Sequence, residues 1–462
     1  MKTIKTDLAI IGAGTAGLSA YRAVKSAGLS AVLIEGGAYG TMCARVGCMP
    51  SKLLIAAADA AHAAANTQPF GIYVEGRIRV DGVQVMNRVK SERDRFVGFV
   101  VDTVNAMPDG DKLRGYAHFL SDTLLQVDDH TQVEASRTVI ATGSTPVVPP
   151  MYQSLGHRLV VNDDVFAWND LPERVAVIGA GVIGLELGQA LARLGVQVRV
   201  IGRSASLAGI SDPQVRASAQ KAFEKDFELF LNTEVLEASR DRDGDVVRLR
   251  YTPEQGKPVT EEFDYVLMAA GRKPYVDRLQ LKNTSASLDD KGQPRFDKNT
   301  LQLEGTPIFI AGDVNGDIPL LHEAADDGRI AGANAARYPD VQVAERRARL
   351  SVVFTDPQIA HIGVPFKSLP ETAVIGEVDF SNQGRSRVML KNYGKLRVYA
   401  ESGSGRFLGA EMAGPAAEHI GHLLAWAHQQ DMTVKQMLSM PFYHPVVEEG
   451  LRTALRDAAS KI

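Results

Sequence analysis

Apolar and polar positions along the chain fall into blocks with two different periods. Residues 7–11, DLAII, are a short, mostly apolar run that predicts a buried strand. Glycines follow at 12, 14 and 17, and then LSAYRAVKSAG, of helical composition and closed by a glycine. A second apolar run, LSAVLIE, ends on Glu35. The same order returns between Arg174 and Arg203, RVAVIGAGVIGLELGQALARLGVQVRVIGR, with Gly179, Gly181 and Gly184 at the turn. Toward the C-terminus, SVVFTDPQIAHIG and LRVYAESGSGRFLGAEMAG alternate as strands do.

Strand, glycine turn, helix, strand is the order in which N–H groups at a helix N-terminus hold a pyrophosphate, with an acid ending the second strand placed for the ribose hydroxyls. Gly12, Gly14, Gly17 and Glu35 meet that description. Two full copies predict an α/β protein with two Rossmann-like domains, each binding a dinucleotide. The copies differ at one telling place. The step that leads from Gly12 to Glu35 leads from Gly179 to Gly202, which Arg203 follows. A carboxylate accepts hydrogen bonds from a free 2′-hydroxyl and repels a 2′-phosphate, whereas a guanidinium does the reverse, so Arg203 favours NADP over NAD at the second site.

The 462 residues suggest roughly three domains, and 45% apolar with 23% charged residues is the composition of a globular protein. A formal charge of -4 supplies no basic field, so no nucleic-acid partner is expected. MKTIKTDLAIIGAG runs directly into the glycine turn and reads as a first strand rather than a signal peptide. No apolar stretch reaches roughly eighteen residues, so no membrane span is expected and a cytoplasmic location is the default.

The chain's only two cysteines, Cys43 and Cys48, lie in GTMCARVGCMPSK, residues 40–52. They are too few for a disulfide scaffold, and the histidines show no zinc spacing near them, so redox chemistry is expected and no metal. Fully extended, five residue steps span roughly 17 Å, whereas a disulfide needs under about 7 Å. An undistorted helix rises roughly 7.5 Å over the same steps and turns about 140° off the starting face. The segment must therefore curl irregularly, with Gly47 supplying the freedom. Pro50 and Ser51 predict the start of a helix through LLIAAADAAHAAA, which would place Cys48 just ahead of a helix N-terminus, where a thiolate is stabilised. Lys52 would follow one turn beyond Cys48 on the same face.

GTMCARVGCMPSK resembles the redox-active segment of the flavin-dependent pyridine nucleotide-disulfide oxidoreductases, with the dihydrolipoamide dehydrogenases as the most similar branch. LMAAGRKP, IFIAGDVNG, LLHEAADDGRIAG and FYHPVVEEG extend the resemblance over essentially the whole chain in the family's order. It implies FAD at the first site, with Glu35 on the adenosine ribose, Asp313 on the ribityl chain, Thr142 and Gly143 nearby, and backbone groups of Leu321 and His322 at the pyrimidine end of the flavin. It places NAD or NADP at the second site, with Gly271 among its contacts. Cys48 becomes the thiol against the flavin, Cys43 the thiol that meets substrate, and Lys52 the partner of Glu186. The implied domains are 1–150 with 276–345 for FAD, 151–275 for NAD(P), and an α+β dimerisation domain over 346–462. This sequence departs from the family at Met42, where a threonine is usual, at Phe442, often a histidine, and at the Gly202-Arg203 pair.

Thiol exchange needs a group to take a proton, and an imidazole suits the task. His444 is the candidate, and Pro445 predicts a helix start that puts Glu448 and Glu449 in the next turn, where one of them can orient the ring. The family motif selects Glu449 and has the histidine reach the disulfide of a neighbouring subunit, which implies a homodimer with shared sites. The expected activity is that of a dihydrolipoamide dehydrogenase, passing electrons between dihydrolipoamide, Cys43–Cys48, FAD and NAD(P), with a lipoyl-carrying protein as a possible physiological partner. The alternatives are an NADPH-dependent reductase of a low-molecular-weight disulfide, of the glutathione reductase type, and a flavoprotein redox sensor without turnover.

Overall fold

Strand Lys2–Ile11 buries Leu8 and Ile10 on one face of its sheet and Ala9 and Ile11 on the other, which is why its second half reads as a continuous apolar run rather than an alternation. A computed structural model describes residues 2–241, 245–253 and 256–462 of the chain. The strand begins earlier than the apolar run suggests, because Lys2–Thr6 pair in parallel with residues 131–135. Backbone pairing with the neighbouring strand, which the apolar pattern does not register, sets that end.

The chain divides into two units. The first comprises residues up to Pro50, Lys90–Val147 and Arg272–Arg346. Its seven-stranded sheet runs Lys112–Arg114, Ala31–Glu35, Lys2–Ile11, Thr131–Ile140, Leu124–Val127, Ala117–Ser121, with Ile308–Ile310 also paired to Thr131–Ile140. The strands that carry the glycine turn are parallel, and Leu124–Val127 joins antiparallel. Helices Thr15–Ser26 and Leu321–Arg337 contribute Ala16, Ala20 and Ala331 to the core on the face that holds Leu8, Leu33 and Phe309. Each large apolar side chain fully buried there contributes about 1.5–3 kcal/mol.

The second unit comprises Ser51–Val89, Val148–Gly271 and the residues from Arg347 on. It holds a five-stranded parallel sheet, Glu228–Phe230, Gln197–Ile201, Arg174–Ile178, Tyr265–Met268, Leu159–Val160. It also holds a five-stranded antiparallel sheet, Leu350–Val353, Gln358–Gly363, Phe407–Gly414, Lys395–Ala400, Val374–Asp379, the first four from the alternating C-terminal segments and the last from the stretch between them. Helices Ala417–Gln429 and Glu449–Ala459 close its core with Ile420, Leu424, Leu451 and Leu455.

A buried ionic cluster ties this unit together. Arg193, at the end of helix Val182–Arg193, lies 3.0 Å from Asp59, 2.9 Å from Asp226 and 3.2 Å from Asp356, with its side chain 6% exposed. Gln189, one turn earlier, donates to Asp226 and to the Asp356 carbonyl at 2.7 Å and accepts from the Asp356 N–H. Burial alone would raise the Asp356 carboxyl; Lys391, Tyr393 and Arg193 outweigh it and hold the group below its usual range. Among the described residues no helix is long and apolar enough to cross a membrane.

Candidate active site

Gly12 occupies φ +108°, and a Cβ there would come within 2.3 Å of the Ala141 carbonyl oxygen. A Cβ on Gly17 would strike the Gly12 oxygen at 1.8 Å, so neither position admits a side chain. Gly14 differs: a Cβ would meet nothing within 4 Å, and as the N-cap of helix Thr15–Ser26 it offers no side-chain acceptor to the first-turn N–H groups. That opening beside uncapped N–H donors fits a pyrophosphate. Glu35 accepts from Ala13 N at 2.8 Å and Gly37 N at 2.7 Å, which fixes its carboxylate next to the turn.

Asp313 sits at one end of a hydrogen-bonded chain in the same unit. Asp313 follows strand Ile308–Ile310 and accepts from Ser144 Oγ at 2.9 Å. Ser144 Oγ accepts from Arg272 Nε at 2.8 Å, and Arg272 Nη2 donates to the Ser144 carbonyl at 2.8 Å and to Met42 Sδ at 3.0 Å. Thr142 Oγ1 donates to the Tyr275 carbonyl at 2.7 Å, and the Gly143 carbonyl accepts from Tyr275 N at 2.9 Å. Leu321 and His322 open helix Leu321–Arg337, whose N-cap Leu320 has no side chain to satisfy the first N–H groups. Arg272 lies in the GRKP stretch recognised in the sequence, yet sequence reasoning gave it, Ser144 and Met42 no part; only the fold shows that Arg272 joins Met42, next to Cys43, through Ser144 to Asp313.

Cys43 and Cys48 are disulfide-bonded with their Cα atoms 4.7 Å apart. Two helices, Met42–Val46 and Cys48–Ala65, meet at Gly47, whose φ of −127° and ψ of −115° break the helical path and bring the sulfurs together. The helix expected from Pro50 begins at Cys48 instead. Proline is tolerated anywhere in a first turn, where its missing N–H would have no partner, so Pro50 marks the turn without marking its first residue. Thr41, at φ +57°, caps the shorter helix by accepting from Ala44 N at 3.3 Å.

In the second unit, Lys52 Nζ lies 2.9 and 2.7 Å from the two carboxylate oxygens of Glu186 and 4.6 Å from the centre of the Phe354 ring. Glu186 is 6% exposed and also accepts from Phe354 N at 2.9 Å. The second glycine turn repeats the first: Gly179 at φ +118° and Gly184 are sterically closed, and Gly181 is an open N-cap without a side-chain acceptor. Gly271, at φ +113°, likewise faces open space. The pairings Ile11 with Ile34 and Ile178 with Ile201 put Glu35 and Gly202 at the same place in their sheets. Arg203 comes next, exposed and with no hydrogen bond or ion pair among the described residues.

His444 Nδ1 lies 3.0 Å from Glu449 Oε2, and Arg452 Nη2 donates to Glu449 Oε1 at 2.6 Å. Desolvation works against the Glu449 charge, but the hydrogen bonds from His444 and Val446 N and the cationic neighbours prevail and lower its pKa. An ionised carboxylate only accepts, so Nδ1 carries the hydrogen and Nε2 is left to take a proton. The helix expected to start at Pro445 begins at Glu449. Gln383 takes the Val446 carbonyl at 2.8 Å and Val447 turns into the core, so those residues are committed elsewhere.

Residues 6–328 match the family described as pyridine nucleotide-disulphide oxidoreductase, and residues 350–455 match its dimerisation domain. The dihydrolipoyl dehydrogenase of Haloferax volcanii is 30% identical, over 98% of this chain and 96% of its own. That of Bacillus subtilis is 29% identical over 97% of each chain, and the mitochondrial enzyme of Pisum sativum 28% over 97% and 91%. In fold, the chain is similar to the HOCl-induced flavoprotein disulfide reductase RclA from Escherichia coli in its Cu(II) complex, with TM-score 0.83 and 21% identity over 99% of both chains.

Proposed function

The chain belongs to the pyridine nucleotide-disulphide oxidoreductases, flavoproteins that use FAD and NAD(P), and from that premise we propose that it is a dihydrolipoamide dehydrogenase. The observation that carries this reading is the Cys43–Cys48 disulfide at the head of helix Cys48–Ala65, where the N-terminal dipole favours Cys48 as the leaving thiolate.

One sulfur of dihydrolipoamide, as thiolate, attacks Cys43 Sγ; the Cys43–Cys48 bond breaks and Cys48 leaves as thiolate. The second substrate sulfur then displaces Cys43 from the mixed disulfide, releasing lipoamide and leaving both cysteines reduced. Two protons leave the substrate thiols: His444 Nε2 accepts the first, its ring held by Glu449, and the second goes to the Cys43 sulfur as it is displaced. FAD, when bound, would supply the two-electron redox chemistry that links the reduced cysteine pair to the nicotinamide. Gly12, Gly14, Gly17, Glu35, Thr142, Gly143, Asp313, Leu321 and His322 are the residues that would hold FAD, and Lys52 and Glu186 would lie beside the flavin. Gly179, Gly181, Gly184, Arg203 and Gly271 would hold the nucleotide. In this reading two copies share their sites through residues 346–462, with His444 serving the partner's disulfide, and a lipoyl-carrying protein is the macromolecular substrate.

Arg203 supports a second reading, an NADPH-dependent reductase of a small disulfide. A panel of dihydrolipoamide, glutathione disulfide and related small disulfides, run with both nucleotides, separates the two. Turnover of dihydrolipoamide with NAD or NADP supports the first; NADPH oxidation by a small disulfide with no dihydrolipoamide turnover supports the second. No turnover of any pair, in a protein that still binds FAD, would leave a redox sensor.

A further inference from the structure

The segment that carries Arg203 is held by the C-terminal sheet. Residues 203–206 are the outward part of a loop between strand Gln197–Ile201 and helix Pro213–Phe223. At its start, Gly202 N donates to the Phe230 carbonyl at 2.8 Å and the Gly202 carbonyl accepts from Thr233 N at 2.9 Å. At its far end the anchors come from elsewhere. Ala208, buried and at φ +49°, donates its N–H to the Ala180 carbonyl inside the glycine turn at 2.9 Å, and His361 Nε2 lies 3.2 Å from its carbonyl.

Glu411 completes the grip. It is 0% exposed, in the middle of strand Phe407–Gly414 and directly opposite His361 on the neighbouring strand. Its Oε2 accepts from Ser211 N at 2.8 Å and Asp212 N at 2.9 Å; its Oε1 accepts from Ser211 Oγ and, at 3.0 Å, from Phe366 N. No cation pairs with it among the described residues. A buried carboxylate without a counter-ion is costly unless donors surround it, and three of these four donors belong to the loop. Replacing the glutamate by a residue with fewer acceptor sites leaves loop N–H groups unsatisfied, so the loop shifts.

We infer that Glu411, with His361 opposite it, is a positioning residue for nucleotide choice: by fixing residues 207–212 it sets where Arg203 meets the 2′-phosphate of NADP. The inference rests on the reading of Gly179–Gly184 and Arg203 as the nucleotide site. It puts a determinant of nucleotide preference on the C-terminal sheet, far in sequence from the glycine turn that would touch the nucleotide.

The test measures binding of 2′,5′-ADP and of 5′-AMP to the FAD-loaded protein by calorimetry, for wild type, Glu411→Gln, Arg203→Ala and the double variant. Glu411→Gln should weaken 2′,5′-ADP about tenfold, while 5′-AMP and the KM for dihydrolipoamide change less than about twofold. On the Arg203→Ala background the same substitution should produce no further loss, because the group it positions is gone. Ser211→Ala removes one donor, and about a threefold weakening is expected. Unchanged 2′,5′-ADP binding in Glu411→Gln, or in Ser211→Ala should the former not accumulate, overturns the inference, as does an equal loss for both ligands. If Arg203→Ala itself leaves 2′,5′-ADP unaffected, the reading of the nucleotide site fails instead.

Discussion

His444 and Glu449 are joined by a 3.0 Å hydrogen bond from imidazole Nδ1 to carboxylate Oε2, and a second contact, from Arg452, keeps that carboxylate an acceptor. The pair fixes which ring nitrogen carries the hydrogen and therefore which one can receive a proton.

Replacing His444 by glutamine should lower kcat for dihydrolipoamide oxidation by about 10²–10⁴-fold, the range of a single proton-transfer group. Glu449→Gln keeps the size but can present its amide to Nδ1 and favour the other tautomer, so a loss of about tenfold or more is expected in kcat with KM little changed. Because the Glu449 pKa is lowered, its support of the ring is complete above the ordinary glutamate value of about 4.3 and fades only as pH falls through the lower folded value. The wild-type rate profile between pH 6 and 8 should therefore contain no Glu449 titration, and a Glu449→Gln profile of unchanged height would contradict the assignment.

Arg193 faces three carboxylates, two of them largely buried, and among the described residues Asp356 alone of these has a second cation, Lys391, at 3.7 Å. Arg193→Met should lower stability by about 3–5 kcal/mol, the usual effect of leaving buried charge without its partner. The Asp356 pKa is lowered in the fold, so this difference should be full above about pH 4, the ordinary aspartate value, and shrink as pH falls further. Urea unfolding of both proteins at several pH values checks this; a midpoint shift equivalent to under about 1 kcal/mol at neutral pH would refute it.

Lys52 and Glu186 should behave as a coupled pair. Lys52→Met leaves the Glu186 carboxylate buried with the Phe354 N–H as its remaining donor among the described residues, so adding Glu186→Gln should recover part of the lost stability. A double-mutant cycle should give a coupling of about 1–3 kcal/mol, and additive effects would count against the pair.

Arg203→Ala should reduce kcat/KM for NADPH about tenfold and leave NADH within about twofold. Steady-state rates with each nucleotide decide it: an equal loss for both, or a wild-type preference for NAD of a hundredfold or more, would remove the phosphate contact from the account.

The glycine turns, their strands and the cysteine pair were legible because each depends on short-range chemistry: steric closure at Gly12 and Gly179, an apolar run buried on both faces, five residue steps from one cysteine to the other. The equivalence of Glu35 and Gly202 was legible from counting alone. Helix starts were placed less well, because a proline fits more than one first-turn position and because Val447 went to the core instead of continuing a helix. Arg272, Ser144, Glu411 and His361 were not legible as a group. Their partners lie far away in sequence, and nothing in a single strand's alternation marks an inward glutamate as a clamp for a loop 200 residues distant.

The most direct test of the account is a thiol count. The chain has two cysteines, bonded to each other, so the FAD-loaded protein denatured without reductant should show no free thiol. After anaerobic treatment with dihydrolipoamide and removal of the small molecules, both thiols should appear. Free thiols in the oxidised protein, or a disulfide that dihydrolipoamide and both reduced nucleotides leave intact, would contradict the claim that this sulfur pair carries the electrons.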